Sequence, residues 1–200
     1  MFDEISLAGG GVIESLREDM VLVGMLLRER FEKDLPWAVP DSGGARADLI
    51  AGRIEGCYTV DLEPRADERG YLMELLTTRE GLMEPMVHAY QVFAAAGSMR
   101  AWTYHAKQTD RLCFADGRFR VFLFDLREES STYRNRVEIV VGEELPVRLV
   151  IPPFVAHGAE NVCGRRASFV NLPTAIYDPN DPDKHRLAMD SPLLGVGWSV

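Results

Sequence analysis

The sequence predicts an all-β fold, a sandwich or barrel, carrying a helical arm at its amino end. Three observations lead there. A 3.6-residue apolar period is confined to the stretch before residue 35. Short β-rich runs bounded by Gly, Pro and Asp follow one another from residue 54 onward. No helical period separates those runs, which argues against alternating parallel α/β units.

The arm comes first. Ile13, Leu16, Met20, Val23, Leu27 and Phe31 step by three and four residues, and Glu14, Arg17, Glu18, Arg28 and Glu32 fall between them, the pattern of an amphipathic helix. Leu35 to Asp48 holds two prolines and a Ser-Gly-Gly and reads as a linker. Residues 1–50 therefore form arm and linker, and 51–200 the β domain. The arm is expected to serve packing or subunit contact. Gly9-Gly10-Gly11 follows no strand and precedes no Lys-Ser/Thr, so it is not a phosphate loop.

The predicted strands are Cys57–Leu62, Tyr71–Leu76, Ala89–Ala94, Met99–His105, Arg111–Phe114, Phe119–Leu126, Val137–Val141, Val147–Ile151 and Ser168–Leu172. Asp116-Gly117 has the composition of a two-residue hairpin turn, so the strands on either side of it are expected to pair. The run Asp178 to Lys184 is acidic and turn-forming and lacks calcium-loop spacing, so it reads as a solvated loop.

Composition narrows the function classes. Two hundred residues suit one domain with a decorated end, and 46% apolar with 26% charged residues is an ordinary globular balance. Lys plus Arg number 22 against 31 Asp plus Glu, and the net charge of -9 argues against a nucleic-acid or anionic-membrane binder. An anionic ligand would need a local basic pocket. Met1 to Gly10 has two acids and no base, unlike a secretory signal, and the apolar run Met20 to Leu27 is too short for a membrane span. Cys57, Cys113 and Cys163 lie more than forty residues apart, as expected of reduced thiols in a cytoplasmic protein.

Within a strand, residues two apart share a face, so Thr103 and His105 project together, opposite Trp102 and Tyr104, which are expected to pack or to make a dimer contact. The stretch Gly97 to Gly117, with Thr103, His105 and Asp110, has the spacing of the first cupin motif. Thr103 stands for its first histidine and Asp110 for its glutamate. Ile151-Pro152-Pro153-Phe154-Val155-Ala156-His157 resembles the second motif, with Phe154 where glycine is usual. A cupin jelly-roll barrel is the fold this implies.

The resemblance narrows with Asp67 to Glu74, Met99-Arg100-Ala101-Trp102, Asp125-Leu126-Arg127 with Ser131-Thr132-Tyr133, Pro152 to Gly158, and Asp190 to Trp198, which occur in order. This series resembles the dTDP-4-dehydrorhamnose 3,5-epimerase family over roughly Ile54 to Trp198. The resemblance implies a homodimeric barrel that binds a nucleoside-diphosphate 4-keto-6-deoxysugar and moves protons beside the ketone, without metal. It also implies substrate contacts at Arg69, Glu74, Gln91, Arg100, Thr103 and Asn171; arginines suit the diphosphate because a planar fork binds its oxygens.

At its catalytic positions the chain departs from the family. Its base histidine corresponds to Thr103 and its acid tyrosine to Asn171, neither able to serve near pH 7. Three readings stay open. His105, about 7 Å along the strand from Thr103, acts as a displaced base with Asp110 or His157 orienting it and Tyr177 as acid. Alternatively, His105, Asp110 and His157 hold one divalent metal, Fe or Zn, as in a cupin oxygenase or isomerase. Otherwise they form a silent hydrogen-bonded group in a sugar-nucleotide binder. His88 and His185 read as structural or solvated.

Overall fold

A computed structural model describes residues 48–77, 86–191 and 194 of the chain. The helix expected over 13–31, and the linker up to its last residue, lie outside the described residues. Twelve strands are present among them: β1 Tyr58–Asp61, β2 Pro64–Asp67, β3 Gly70–Met73, β4 Tyr90–Ala94, β5 Met99–His105, β6 Asp110–Phe114, β7 Arg118–Asp125, β8 Arg136–Gly142, β9 Val147–Ile151, β10 Val155–Asn161, β11 Ala167–Asn171 and β12 Lys184–Arg186. No α-helix occurs among the described residues, and none is long and apolar enough to cross a membrane.

Two five-stranded antiparallel sheets form the body, in the orders β1-β9-β6-β11-β4 and β12-β5-β10-β7-β8, and β2 and β3 make a separate ribbon. This is the expected jelly-roll architecture. Phe114 and Phe169 of the first sheet and Phe119 of the second meet with ring centroids 5.0 to 5.5 Å apart, at the centre of a core completed by Val121, Leu123, Val147, Leu149 and Ile151. Alternation in Phe119-Arg120-Val121 puts the apolar side chains inward and leaves Arg120 outside. Farther along β7, Phe122 and Phe124 are buried too, because the opposite face is covered by Trp102, Leu187 and Leu194. Trp102 is 1% exposed and packs edge-on against Phe122, so its predicted packing role holds.

The Asp116-Gly117 turn behaves differently from expectation. Strand β6 pairs with β9 and β11, whereas β7 pairs with β8 and β10, so the turn passes between sheets and makes no hairpin. Both edges of β6 are already occupied. Gly117 has φ +70° as expected, but Asp116 is not in the left-handed region, which a two-residue primed turn would require of both. Gly117 is also crowded: a Cβ there would lie 2.2 Å from Ala167 Cβ.

Three strands escaped the sequence reading. Strand β12 has three exposed residues, Lys-His-Arg, and exists because β5 offers it an edge. Strand β10, Val-Ala-His-Gly-Ala-Glu-Asn, has weak β propensity but lies between β5 and β7, which impose its conformation. Strand β2 begins on a proline and pairs only with β3. Asp125, fully buried, locks the turn after β7: Arg127 binds both its oxygens at 2.8 Å, and Ser130 and Thr132 donate hydroxyls at 2.8 and 2.7 Å. Burial pushes the Asp125 carboxyl up, but these bonds outweigh it and bring the pKa down to about 2.

Candidate active site

A cavity of about 670 Å³ opens between the sheets. His105 near the end of β5 and His157 in β10 reach it from the second sheet; His157 pairs across strands with Thr103, which brings the two imidazoles to 6.2 Å between centroids. The register shifts between His157 and Ala159, and Gly158 fills the step because a Cβ there would lie 2.5 Å from Ala101 Cβ. Phe154, at the motif's usual glycine position, keeps a glycine-like φ of +58°. Its N–H donates to the His105 carbonyl at 2.7 Å, tying the two motifs together.

Asp110 enters from β6 in the facing sheet and is 3% exposed. Its Oδ1 accepts from Gln108 Nε2 at 2.8 Å and Asn171 Nδ2 at 2.9 Å. Its Oδ2 lies 3.4 Å from His105 Nε2 and 3.3 Å from His157 Nε2. Burial raises the Asp110 carboxyl, but the two imidazoles facing it prevail and hold it well below the usual carboxylate range.

The tautomers follow from the partners. His105 Nδ1 lies 2.9 Å from the Asp183 carbonyl and His157 Nδ1 3.1 Å from that of Val155. A carbonyl only accepts, so both Nδ1 atoms carry hydrogen and both Nε2 atoms point at the carboxylate. With both rings neutral, Gln108 Nε2, 3.3 Å from His105 Nε2, turns its second amide hydrogen to that lone pair, while His157 Nε2 and Asp110 Oδ2 face each other at 3.3 Å. A proton taken from a substrate, or a divalent cation, would there meet donor atoms already aimed at one point. The three donor atoms lie within 4.8 Å of one another, and Nδ1 bonds to main-chain carbonyls are the outer support that metal-binding histidines use.

Asp183 holds more than the imidazole. Its carboxylate accepts the N–H groups of Ala106, Lys107 and Gln108 at 2.9 to 3.1 Å, and although burial raises its pKa, these bonds leave it lowered. Lys184 follows at the cavity wall, where burial and then Arg186 lower its pKa against the pull of Asp110. Arg100 and Arg186 line the same cavity, which supplies the local basic pocket that a chain of charge -9 needs for an anion.

Of the residues singled out from sequence, His105, Asp110 and His157 come together, and Arg100, Thr103 and Asn171 line the same cavity. Arg69 lies on the β2–β3 ribbon, paired with Asp67, its side chain 83% exposed. Glu74 faces Arg65 at 3.6 Å, and Gln91 donates to Ser168; none of these three lines the cavity. Tyr177 is 59% exposed and lines an adjoining cavity of about 560 Å³, to which His105, Tyr90 and Lys184 also contribute. His185 stacks on Tyr104 at 4.9 Å, and His88 packs against Tyr90 at 5.4 Å.

Sequence reasoning missed Tyr90, Gln108, Asp183 and Lys184. Gln108 alone lay near a motif residue, two positions before Asp110 in the segment that leads into β6. The others come from distant segments whose approach only pairing of β12 with β5 and of β4 with β11 creates.

Residues 51–200 match the family model described as dTDP-4-dehydrorhamnose 3,5-epimerase. The chain is 33% identical over 147 residues to the spore coat polysaccharide biosynthesis protein SpsL of Bacillus subtilis, covering 74% of this chain and 97% of that protein. It is 31% identical to a probable low-salt glycan biosynthesis epimerase of Haloferax volcanii over 70% of this chain and 91% of that one. Among solved structures, a dTDP sugar isomerase from Desulfovibrio desulfuricans superimposes with a TM-score of 0.68 at 22% identity, covering 73% of this chain and 92% of that one. A Legionella pneumophila dTDP-6-deoxy-D-glucose-3,5-epimerase in complex with dTDP-4-keto-L-rhamnose gives 0.62 at 21%, covering 71% and 78%. Those two likenesses concern the fold; the family rests on the match over 51–200 and on the two sequence relatives, and by them the chain belongs to the dTDP-4-dehydrorhamnose 3,5-epimerase family.

Proposed function

We propose that this protein binds a nucleoside-diphosphate 4-keto-6-deoxyhexose and moves protons at a carbon beside its ketone. The observation that carries the reading is the pair of imidazoles whose Nε2 atoms converge on a buried carboxylate at the wall of a cavity lined by Arg100, Lys184 and Arg186. The ketone acidifies the neighbouring C–H, and a neutral Nε2 accepts that proton. Asp110 offsets the imidazolium formed, and the cations face the diphosphate and the enolate oxygen. The Legionella relative, crystallised with a dTDP-keto sugar, supports this ligand class. Thr103 stands at the family's base position and Asn171 at its acid position, so His105 takes over the base role from two residues along the strand.

We further propose a homodimer, because the β2–β3 ribbon exposes Tyr71 (64%) and Leu72 (46%). Cys57, Cys113 and Cys163 are thiols and not disulfides, which suits a cytoplasmic setting.

The test is incubation with dTDP-4-keto-6-deoxyglucose in heavy water, read by mass spectrometry and NMR. Deuterium entering beside the ketone is the expected result. Binding with no exchange at any carbon would mark a silent binder and overturn the reading.

A second reading has a specific observation behind it, the donor set of His105 Nε2, His157 Nε2 and Asp110 Oδ2 with both Nδ1 atoms anchored. Bound there, a divalent ion would act as a Lewis acid toward a substrate oxygen. Metal analysis separates the two. The proton-transfer reading expects less than about a tenth of an equivalent and exchange that survives chelation, whereas a full equivalent lost on His157→Ala would replace it.

A further inference from the structure

We propose that Tyr90 is the proton donor of this site, delivering its phenolic hydrogen to the face of the sugar opposite the imidazoles. The assignment rests on the proton-transfer reading above and extends it to a residue outside both cupin motifs.

Tyr90 begins β4, at the edge of the first sheet, and Asn171 of β11 is its cross-strand partner. Asn171 Oδ1 accepts the Arg111 N–H at 3.3 Å, which fixes the amide with its nitrogen toward Asp110 Oδ1 at 2.9 Å and Tyr90 Oη at 2.8 Å. The amide therefore spends one hydrogen on each oxygen. Tyr90 Oη is an acceptor in that bond, and its own hydrogen has no acceptor among the described residues. A phenol held by its oxygen with its hydrogen unspent, in the wall of the cavity that contains the base, is arranged to donate to a ligand.

Position supports the role. The imidazoles come from β5 and β10 of the second sheet, and the phenol from β4 of the first, so a hexose between the sheets meets the base and the donor from different sides. Burial, opposed by the Asn171 bond and reinforced by the Asp110 charge, raises the Tyr90 phenol and keeps it protonated until a carbanion forms beside it. The step balances. Nε2 takes H⁺ from carbon, the C–H electrons move into the enolate, and they return to form a new C–H bond with the Tyr90 hydrogen. A neutral imidazole and a neutral phenol become imidazolium and phenolate, which exchange with water to reset. Tyr90 is 40% exposed and Tyr177, in the adjoining cavity, 59%, and Tyr177 has no comparable anchor for its hydroxyl among the described residues.

Tyr90→Phe keeps the ring and removes only the hydroxyl, and it is tested on the full chain with dTDP-4-keto-6-deoxyglucose in heavy water. Inverted product should fall by about 10²-fold or more, the scale of one general acid, while the base side still exchanges and returns unchanged substrate carrying deuterium. Affinity for dTDP alone should stay within about threefold. Inversion at the wild-type rate overturns the assignment, as does joint loss of exchange, inversion and dTDP binding, which would mark a structural role. If Tyr177→Phe produces the split and Tyr90→Phe does not, the donor is Tyr177 and the proposal falls. Absence of exchange in the wild-type protein overturns the proton-transfer reading itself and takes Tyr90 with it, whereas wild-type exchange with undiminished Tyr90→Phe inversion removes Tyr90 alone.

Discussion

Replacing Asp110 by Asn and, separately, by Ala distinguishes what this side chain does for the fold from what its charge does for the chemistry. In the wild type, Oδ1 accepts from Gln108 at 2.8 Å and Asn171 at 2.9 Å, and the residue is 3% exposed. Alanine strands two buried amide donors, each costing about 1–3 kcal/mol. A total loss of about 3 kcal/mol corresponds to a fall in Tm of roughly 6–12 °C for a chain of this size. Asparagine places its oxygen where Oδ1 was and turns its NH₂ toward the two Nε2 atoms, 3.4 and 3.3 Å from the present Oδ2. Both rings carry their hydrogen on Nδ1, so both Nε2 atoms accept, and every polar group stays satisfied. The stability cost of Asp110→Asn should be under about 1 kcal/mol. Its activity should nevertheless drop by about 10²–10³-fold, because the amide occupies the lone pairs that would take the substrate proton and no anion remains to hold the imidazolium. Thermal melts at pH 7 and heavy-water exchange measure the two effects. Equal destabilisation by Asn and Ala would refute the tautomers and the satisfaction argument built on them.

Three further outcomes are expected. His105→Ala should reduce exchange by about 10²-fold or more and Thr103→Ala by less than about tenfold; the reverse order in the same assay would refute a displaced base. The folded-state pKa of Asp125, about 2 against 3.8, lies below the unfolded value, so its stabilisation is complete above about pH 4 and is lost as pH falls toward 2. Asp125→Asn should cost about 2 kcal/mol at pH 7 and flatten that part of the stability profile in urea melts; an unchanged acid limb would contradict it. Gly117→Ala drives a Cβ to 2.2 Å from Ala167 Cβ at φ +70° and should lower stability by at least about 2 kcal/mol, measured by urea denaturation; a neutral substitution would show that the turn yields.

Much of the barrel was legible because its central strands are written in β-branched and aromatic residues, as in Phe119 to Leu126 and Val147 to Ile151. Resemblance to the two cupin motifs also placed His105, Asp110 and His157 together, while two-residue periodicity put Thr103 and His105 on one face. Partner choice was not legible. Asp116-Gly117 advertises a hairpin, yet the occupied edges of β6 send the chain to the other sheet, a decision made by β9 and β11. The same limit hid Tyr90 and Lys184, whose strands reach the cavity only through long-range pairing. Arg69, matched by motif, sits on the ribbon, because order along a chain does not say which residue faces the lumen.

Asp183 couples groups that mutation would otherwise alter one at a time. It clamps three successive amides after β5, receives the His105 hydrogen on its carbonyl, and hands the chain directly to Lys184. Lengthening or shortening the Asp178–Asp183 loop by one residue would thus retune ring orientation and local cation together. Divergence of reactivity between related barrels could start at such a hinge of inheritance, with every residue of the two motifs left in place.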